Sequence, residues 1–458
     1  MPSTFRGGIH PEGYKNARHS QIRRMPAGAR LTIPLLQGEG AEALPTVTVG
    51  QSVTMGQVIA DVPRGALGCP VHASVSGVVS GLTEYIDPLG RKTAAIEIDN
   101  DGKYTPCPDN EPYTASLAEA SPESIAELIR CAGIVGMGGA GYPTYAKTLD
   151  ARGKASLLII NCAESEPFLS SDHRLLVENP ASVINGAKIL LRATGIKKAF
   201  IAIEDNKLDA ANKLEVLLAD DSMISVRVLR AKYPQGDERR LVSVLTGREI
   251  PSGGNPTDVG CVVYNAQTCA AVYNAFAHGT PVTSRIVTVD GDCISSPRNV
   301  LVPIGTHIGE LIAFCGKLRR DAKKIILGGP MTGTAVGNTD FPVTKAVSGV
   351  TVLSEKLCPE IPEHAACIRC GRCVAACPEH LMPLYLARSA KAGDLRGCEK
   401  YRISACTECG SCTYICPGGV QIVSLIHGAK EKMKSDAREK SISDNKDNEN
   451  TEAQSNGQ

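Results

Sequence analysis

The sequence predicts a multidomain α/β chain: a small barrel or sandwich of short strands, an α/β domain on a parallel sheet, a compact hairpin-plus-helix unit, and a helical cysteine-rich domain. Three observations predict it. Short apolar runs broken by Gly and Pro fill residues 31–98. Strand-like and helix-like segments alternate from 156 to 277. One cysteine pattern then occurs twice, as Cys367-Ile-Arg-Cys370-Gly-Arg-Cys373-Val-Ala-Ala-Cys377-Pro378 and Cys406-Thr-Glu-Cys409-Gly-Ser-Cys412-Thr-Tyr-Ile-Cys416-Pro417. A chain of 458 residues has room for roughly three or four domains.

Composition narrows the function classes. The net charge of +1 leaves no footprint for nucleic acid. No apolar run approaches the ~18–20 residues needed to span a bilayer, so a soluble or peripheral protein is expected. No secretory signal precedes the first domain, so a reducing compartment is expected and a disulfide framework is not. Of 18 cysteines, those outside the two runs are scattered, mostly in apolar surroundings, and read as small buried hydrophobes.

The elements follow in order. Residues 5–30, beginning Phe5-Arg-Gly-Gly-Ile-His10-Pro, read as an extended arm. Strands are expected at Leu31–Pro34, Thr46–Val49, Val58–Val62, Val75–Val79 and Ala94–Ile98. The pairing of Val49-Gly50-Gln-Ser-Val53 with His72-Ala-Ser-Val-Ser-Gly77 resembles the biotinyl/lipoyl barrel-sandwich hybrid. Ser74 and Val75 would occupy the hairpin tip where those domains carry a lysine, so a structural or docking role is expected rather than a swinging arm.

A helix from Pro122 to Ala132 has acidic residues in its first turn. It leads into Gly133-Ile-Val-Gly136-Met-Gly138-Gly139-Ala-Gly141-Tyr-Pro143-Thr-Tyr-Ala-Lys147. This holds a G-x-G-x-x-G, but a helix precedes it rather than a strand, which argues against the usual dinucleotide fold. Four glycines can bring backbone N–H groups to a phosphate or flat ring. Pro143 can start a helix whose N-terminus favours anions, with Lys147 one turn in. An ordinary glycine-rich turn is the alternative. The strand Ser156–Ile160 delivers Asn161-Cys-Ala-Glu164-Ser-Glu166-Pro167 to its C-terminal end, where α/β proteins place ligand groups. His173, between Asp172 and Arg174, reads as part of a polar loop. Asn179 and Pro180 open a helix to about Thr194. Strands at Ala199–Ile203, Ile224–Leu229 and Gly260–Tyr264 alternate with helices, and Asn265-Ala-Gln-Thr268 caps the last. Arg285–Val289 pairs with Asn299–Val302, Thr306 caps a short helix to Phe314, and Lys324–Leu327 is a strand before Gly328-Gly-Pro-Met331, a β-grasp-type unit. Residues 431–458 are charged, apolar-poor and expected to be disordered.

The double run is the C-x2-C-x2-C-x3-C-P pattern of a bacterial-type two-cluster ferredoxin, in which the fourth cysteine of each run ligates the other cluster. Cys367, Cys370, Cys373 and Cys416 are assigned to one [4Fe–4S] cluster, and Cys406, Cys409, Cys412 and Cys377 to the second. Two structural zinc sites are the rival reading. Zinc usually takes two close cysteines, a long gap and two more, not a third cysteine two residues on followed by Cys-Pro.

The glycine loop, Asn161-Cys-Ala-Glu164-Ser-Glu166-Pro167, Gly236-Asp237-Glu238 and Asn265-Ala-Gln-Thr268 are similar to the flavin- and NADH-binding motifs of the NADH-oxidising flavoprotein subunit of respiratory complex I. Together with Phe5-Arg-Gly-Gly-Ile-His10-Pro, the lysine-free barrel, Gly328-Gly-Pro-Met331 and the double run, their order over about residues 5–430 resembles the RnfC family of the Rnf electron transport complexes. The sequence departs from these patterns at Ala163, where an acid is usual, at Tyr264, where a second Asn is usual, and at Gln37-Gly-Glu-Gly-Ala-Glu42, where the Rnf family usually has Gln-His and Gly-Ala-Pro.

The resemblance implies an N-terminal arm (1–30), a lipoyl-like barrel-sandwich hybrid (31–110), a Rossmann-like FMN/NADH α/β domain (118–280), a β-grasp domain of SLBB type (281–335), a two-[4Fe–4S] ferredoxin-type domain (358–430) and a disordered tail (431–458). It implies that Gly136, Gly138, Gly139, Gly141 and Lys147 line FMN and its phosphate, and that Asn161 holds the flavin. Glu164 and Glu166 would contact flavin, nicotinamide or ribose. Gly236, Asp237 and Glu238 would form the NADH side, and Asn265 and Thr268 would close on the FMN phosphate or ribityl chain. The implied activity is that of one component of a ferredoxin:NAD+ oxidoreductase, with cofactors FMN, NAD(H) and two [4Fe–4S] clusters. Its implied partners are membrane subunits of the Rnf-type complex and, through a neighbouring subunit, ferredoxin. Its implied place is the cytoplasmic face of the membrane, as a peripheral protein. The alternative from a different class is a soluble iron–sulfur relay to a partner reductase, without its own flavin or NADH activity.

Overall fold

The computed structural model describes residues 3–319, 321–360 and 365–437, which fall into two compact units. The first holds His10–Glu360 with Ser3 and Thr4. The second holds Phe5–Ile9 and the chain from residue 365 onward. Among the described residues no helix is long and apolar enough to cross a membrane.

In the first unit, four parallel strands lie in the order Ile224–Leu229, Ala199–Glu204, Leu157–Cys162, Cys261–Asn265. Their side chains alternate between two apolar clusters. Leu158, Ile160, Ile201, Ile203 and Val262 face one, while Leu157, Ile159, Phe200, Ala202 and Val263 face the other. That period of two, apolar on both faces, is what a sheet covered on both sides requires. The helices Pro180–Thr194 and Ala266–His278 cross so closely that a Cβ on Gly186 would collide with the Cys269 carbonyl. Asn179 caps the first of these and Asn265 the second, as their positions in the sequence predict.

The barrel consists of a four-stranded antiparallel sheet (Arg30–Pro34, Lys92–Asn100, Gly77–Ile86, Ser52–Val53) and a three-stranded one (Leu44–Pro45, Val58–Asp61, Val71–His72). Here the structure corrects the sequence reading. Thr46–Val49 is not a strand; Leu44–Pro45 pairs with Ala60 and Asp61 instead. Ser74 and Val75 are 3% and 0% exposed, so the position where a carrier lysine would stand is shut inside the unit. The hairpin of Gly77–Ile86 and Lys92–Asn100 is longer than its apolar core suggests, and Asp87 closes its turn by accepting from the backbone of Leu89 and Arg91.

Ser284–Asp290 and Arg298–Pro303 form the expected antiparallel hairpin, with Arg285 opposite Val302. The sheet also takes in Gly349–Ser354, unassigned in the sequence reading. This fully buried strand runs parallel to Ser284–Asp290 on one side and antiparallel to Ala322–Leu327 on the other. Arg23–Arg24 adds a parallel edge beside Val300 and Leu301, so the arm expected to be merely extended is tied into the sheet. The helix Ile308–Phe314 starts from His307, not Thr306, whose hydroxyl caps nothing. Ser171–Glu178 is a helix with His173 4% exposed, not a polar loop.

In the second unit the two cysteine runs adopt the same backbone. Arg369 and Glu408, Gly371 and Gly410, and His380 and Gly419 occupy equivalent places and all have left-handed φ between 54° and 80°. The short helices Arg372–Ala376 and Ser411–Tyr414 start at equivalent points, and longer helices follow at Pro383–Lys391 and 422–437. Residues 431–437 of the expected disordered tail are thus helical; the rest of that tail lies outside the described residues.

Candidate functional site

The parallel sheet sets Asn161 and Asn265 side by side in register at the C-terminal ends of adjacent strands. A cleft of about 210 Å³ opens there. Gly136, Gly138, Lys147, Asn161, Gly236, Glu238, Asn265 and Thr268 line it, with Thr144 and Tyr264. A larger cavity of about 600 Å³ shares Gly138 and Ala140 with the cleft and takes in Gly139 and Glu166. Of the residues expected at the site, Gly141, Glu164 and Asp237 line neither.

Each side chain is held from several directions. Lys147, on the helix Thr144–Ala151, donates from Nζ to Glu238 Oε1 (2.7 Å) and to the Val263 carbonyl (3.1 Å). Asn161 Nδ2 donates to the Gly236 carbonyl at 2.8 Å. Asn265 Oδ1 accepts from Gln267 N at 2.9 Å, and its Nδ2 donates to Asp172 at 2.6 Å. The glycine loop is pinned at Met137, whose N–H donates to Thr268 Oγ1 (2.9 Å) and whose carbonyl accepts from Arg285 (3.0 Å). Gly141 serves packing: a Cβ there would lie 2.7 Å from Gly38 Cα on the barrel. Asp237 caps the helix Glu238–Thr246.

The two glutamates support the loop between the strand and the helix Ser171–Glu178. Glu164 accepts from the N–H groups of Asp172 (2.8 Å) and His173 (3.3 Å), capping that helix from seven or more residues upstream. Glu166 accepts from Met331 N (3.1 Å) and Thr332 N (2.9 Å), fixing the Gly328-Gly-Pro-Met331 turn. Burial raises the pKa of both; the nearby Lys15 opposes this in each. Lys15 Nζ donates to the carbonyls of Glu164 and Glu166 (2.9 Å each) and of Leu169, and enclosure lowers its pKa to about 8. Burial also raises Asp172, against the bonds it accepts from Gln267 and Asn265. The two sequence departures have structural uses. The Ala163 carbonyl accepts from the buried Lys207 at 2.6 Å, and the Tyr264 hydroxyl lies 3.0 Å from Thr148 Oγ1, joining strand to helix.

The residues fit a phosphate-bearing planar ligand. Thr144 Oγ1 is buried on the cleft lining, at the first position of its helix, and has no hydrogen-bond partner among the described residues. Lys147 stands one turn further, so an anion at this helix start would satisfy both. Sequence reading passed over Thr144; its place directly after Pro143 was the available signal. Asp172 and Lys15 were also missed, because only the tertiary fold brings them to this loop.

In the second unit, Cys377, Cys406, Cys409 and Cys412 line one cavity, the set assigned to one cluster by the crossed pattern. Burial raises the Cys412 thiol, and its neighbours Cys409, Cys406 and Cys377 add to this. On the other side, a Cβ on Gly418 would collide with the Ala366 carbonyl and lie 4.0 Å from Cys416 Sγ, which places Cys416 beside the start of the run Cys367, Cys370, Cys373. Phe5–Ile9 belongs to this unit: Gly8 N donates to the Ala376 carbonyl at 2.8 Å.

Fold and donor sets define a flavin- and iron–sulfur-containing electron-transfer protein. Residues 129–274 match the Nuo51 FMN-binding domain and 366–420 the 4Fe-4S dicluster domain, so its cofactors are FMN and two [4Fe–4S] clusters. Residues 3–103 match the RnfC barrel sandwich hybrid domain, and 286–335 the SLBB domain. Three relatives are the RnfC components of ion-translocating complexes. The chain is 40% identical over 389 residues to that of the proton-translocating ferredoxin:NAD(+) oxidoreductase complex of Clostridium ljungdahlii, covering 84% of each. It is 37% identical to its counterpart in the Na(+)-translocating ferredoxin:NAD(+) oxidoreductase complex of Acetobacterium woodii (86% of this chain, 89% of that one). It is 40% identical to the one in the ion-translocating oxidoreductase complex of Rhodobacter capsulatus (87% and 77%). The chain belongs to this family, the RnfC proteins of the Rnf-type ion-translocating oxidoreductase complexes. An NAD+-reducing [NiFe]-hydrogenase chain shares the fold with TM-score 0.50 and 20% identity over 64% of this chain and 60% of its own.

Proposed function

We propose that this chain is the component through which electrons pass between NAD(H) and ferredoxin in a membrane complex that couples the flow to ion translocation. The observation that carries the reading is the unpartnered Thr144 hydroxyl beside Lys147, in a cleft walled by glycine backbone and by the paired Asn161 and Asn265. Lys147, Thr144 and the N–H groups of the glycine loop would hold the FMN phosphate. Asn161, Asn265 and Thr268 would position the rest of the flavin. Bound FMN supplies the conversion between a hydride pair and single electrons, which the clusters lack. Gly236 and Glu238 would border the nicotinamide side. Glu164 and Asp237 act as positioning residues, since both carboxylates are spent on helix starts. No side chain need take up a proton for hydride transfer, so the chain's task is orientation and water exclusion. Cys367, Cys370, Cys373 and Cys416 would hold one cluster, and Cys406, Cys409, Cys412 and Cys377 the other. The chain would sit peripherally on the cytoplasmic face of its membrane partners, meeting ferredoxin through a neighbouring subunit.

The test is FMN retention. After desalting, the full chain should keep FMN, and a Thr144→Val/Lys147→Met double variant should lose most of it while keeping its iron. Equal retention in both would refute this placement.

A further inference from the structure

The larger cavity holds polar groups that the reading above leaves unused. Its floor is the glycine loop at Gly138 and Gly139, and one wall is the β-grasp turn at Gly329 and Thr332. The opposite wall belongs to the barrel: the turn Leu36–Gly40 and the hairpin residues around Tyr85. The barrel turn is seated directly on the glycine loop. Glu39 N donates to the Gly141 carbonyl at 3.1 Å, and a Cβ on Gly38 would collide with that same carbonyl. Two glycines therefore meet face to face, and neither position tolerates a side chain. Such a close joint holds Gln37 and the cavity in fixed relation.

Gln37 is 8% exposed. Its Oε1 accepts from Lys345 N at 3.2 Å, which fixes the amide and directs Nε2 elsewhere. Nε2 is buried on the cavity lining and has no partner among the described residues. The Tyr85 hydroxyl, across the same cavity, is likewise buried and without a partner there, while its ring edge meets Phe341 at 6.4 Å. Buried donors are normally satisfied. Two such groups on the wall of one cavity, beside a flavin cleft with which it shares Gly138 and Ala140, mark a site for a polar ligand.

We propose that the barrel is part of the nicotinamide nucleotide site, with Gln37 Nε2 and the Tyr85 hydroxyl hydrogen-bonding NAD(H) in the larger cavity. This rests on the functional reading above and extends it. The barrel then sets dinucleotide affinity in addition to any docking role, and Gly38 and Gly141 exist to bring it within reach. Because both groups bind the nucleotide and neither touches the flavin cleft, their loss alters affinity for NAD(H) and leaves FMN in place.

The experiment uses the full chain with reconstituted clusters and FMN. Gln37→Glu keeps the acceptor for Lys345 N and replaces only the donor; Tyr85→Phe removes only the hydroxyl. NAD+ binding to the oxidised protein is measured by calorimetry, and KM and kcat for NADH with ferricyanide as acceptor. Each variant is expected to raise the Kd for NAD+ and the KM for NADH by about tenfold, with FMN content, iron content and kcat unchanged. Wild-type affinity in both variants would overturn the proposal. So would loss of FMN instead of NAD+, which would assign these groups to the flavin. A wild-type chain that binds FMN but no NAD+ would refute the functional reading itself, and this proposal with it.

Discussion

Replacing Lys15 with methionine should loosen the loop that carries Glu164 and Glu166 while leaving the sheet and the clusters intact. The ammonium donates to three backbone carbonyls, of Glu164, Glu166 and Leu169, and Tyr14 next to it stacks on Phe168 at 5.2 Å. Three charge-assisted bonds at roughly 2 kcal/mol each give ~6 kcal/mol. Enclosing the charge opposes this. The fall of the lysine from 10.5 to about 8 corresponds to ~3 kcal/mol. The difference, ~3 kcal/mol, is about a hundredfold in the local opening equilibrium. Hydrogen exchange reads it directly. The N–H groups of Phe168, Ser170 and Asp172 are bonded to Gly13 O, Thr288 Oγ1 and Glu164 Oε1, and all should exchange about a hundredfold faster in Lys15→Met. Peptides from the helix Pro383–Lys391 serve as the control. Unchanged protection at residues 168–172 would refute the claim that the arm holds this loop.

Other predictions follow from the same contacts. Burial, then the charge of Lys345, pushes His72 from 6.5 down to about 3. Below pH 6.5 the unfolded imidazole takes a proton that the folded one refuses, so stability is lost as pH falls from 6.5 toward 3, by ~2 kcal/mol at about pH 5. Hydrogen exchange of barrel peptides should show that loss in the wild type, and His72→Leu should abolish its pH dependence. Gly141→Ala forces a left-handed backbone costing ~1–2 kcal/mol and a contact at 2.7 Å with Gly38, so FMN retention should fall severalfold. Cys416→Ser should remove the cluster of the other run, leaving about four irons per chain with the set Cys377, Cys406, Cys409 and Cys412 still loaded; loss of the Cys406 cluster instead would contradict the crossed ligation.

What could be read in advance was what the chain encodes locally. The cysteine spacing imposes its own repeat, and the left-handed positions at Gly371 and Gly410 are those a tight thiolate loop asks of glycine. The two Asn caps and the buried strands likewise declare themselves within a few residues. The helix Ser171–Glu178 did not, because its start is capped by the distant Glu164 and its polar side chains are satisfied by Asn265, Gln267 and Asp209. Gly349–Ser354 was hidden by the long stretch that separates it from its partner strands. Glu164 and Asp237 have the residue types a cofactor site needs, yet their oxygens are occupied by backbone N–H groups. Gln37 and Tyr85 reach the site only because two glycines allow the barrel to close on the loop.

The most direct test of the central claim is the anaerobic absorbance of the full chain, loaded with FMN and reconstituted clusters, before and after NADH. Prompt bleaching of the flavin band, followed by cluster reduction in a protein with about eight irons per chain, is the predicted result. About eight irons with no bound flavin and no response to NADH would contradict it, and would leave the chain an iron–sulfur relay fed by another protein.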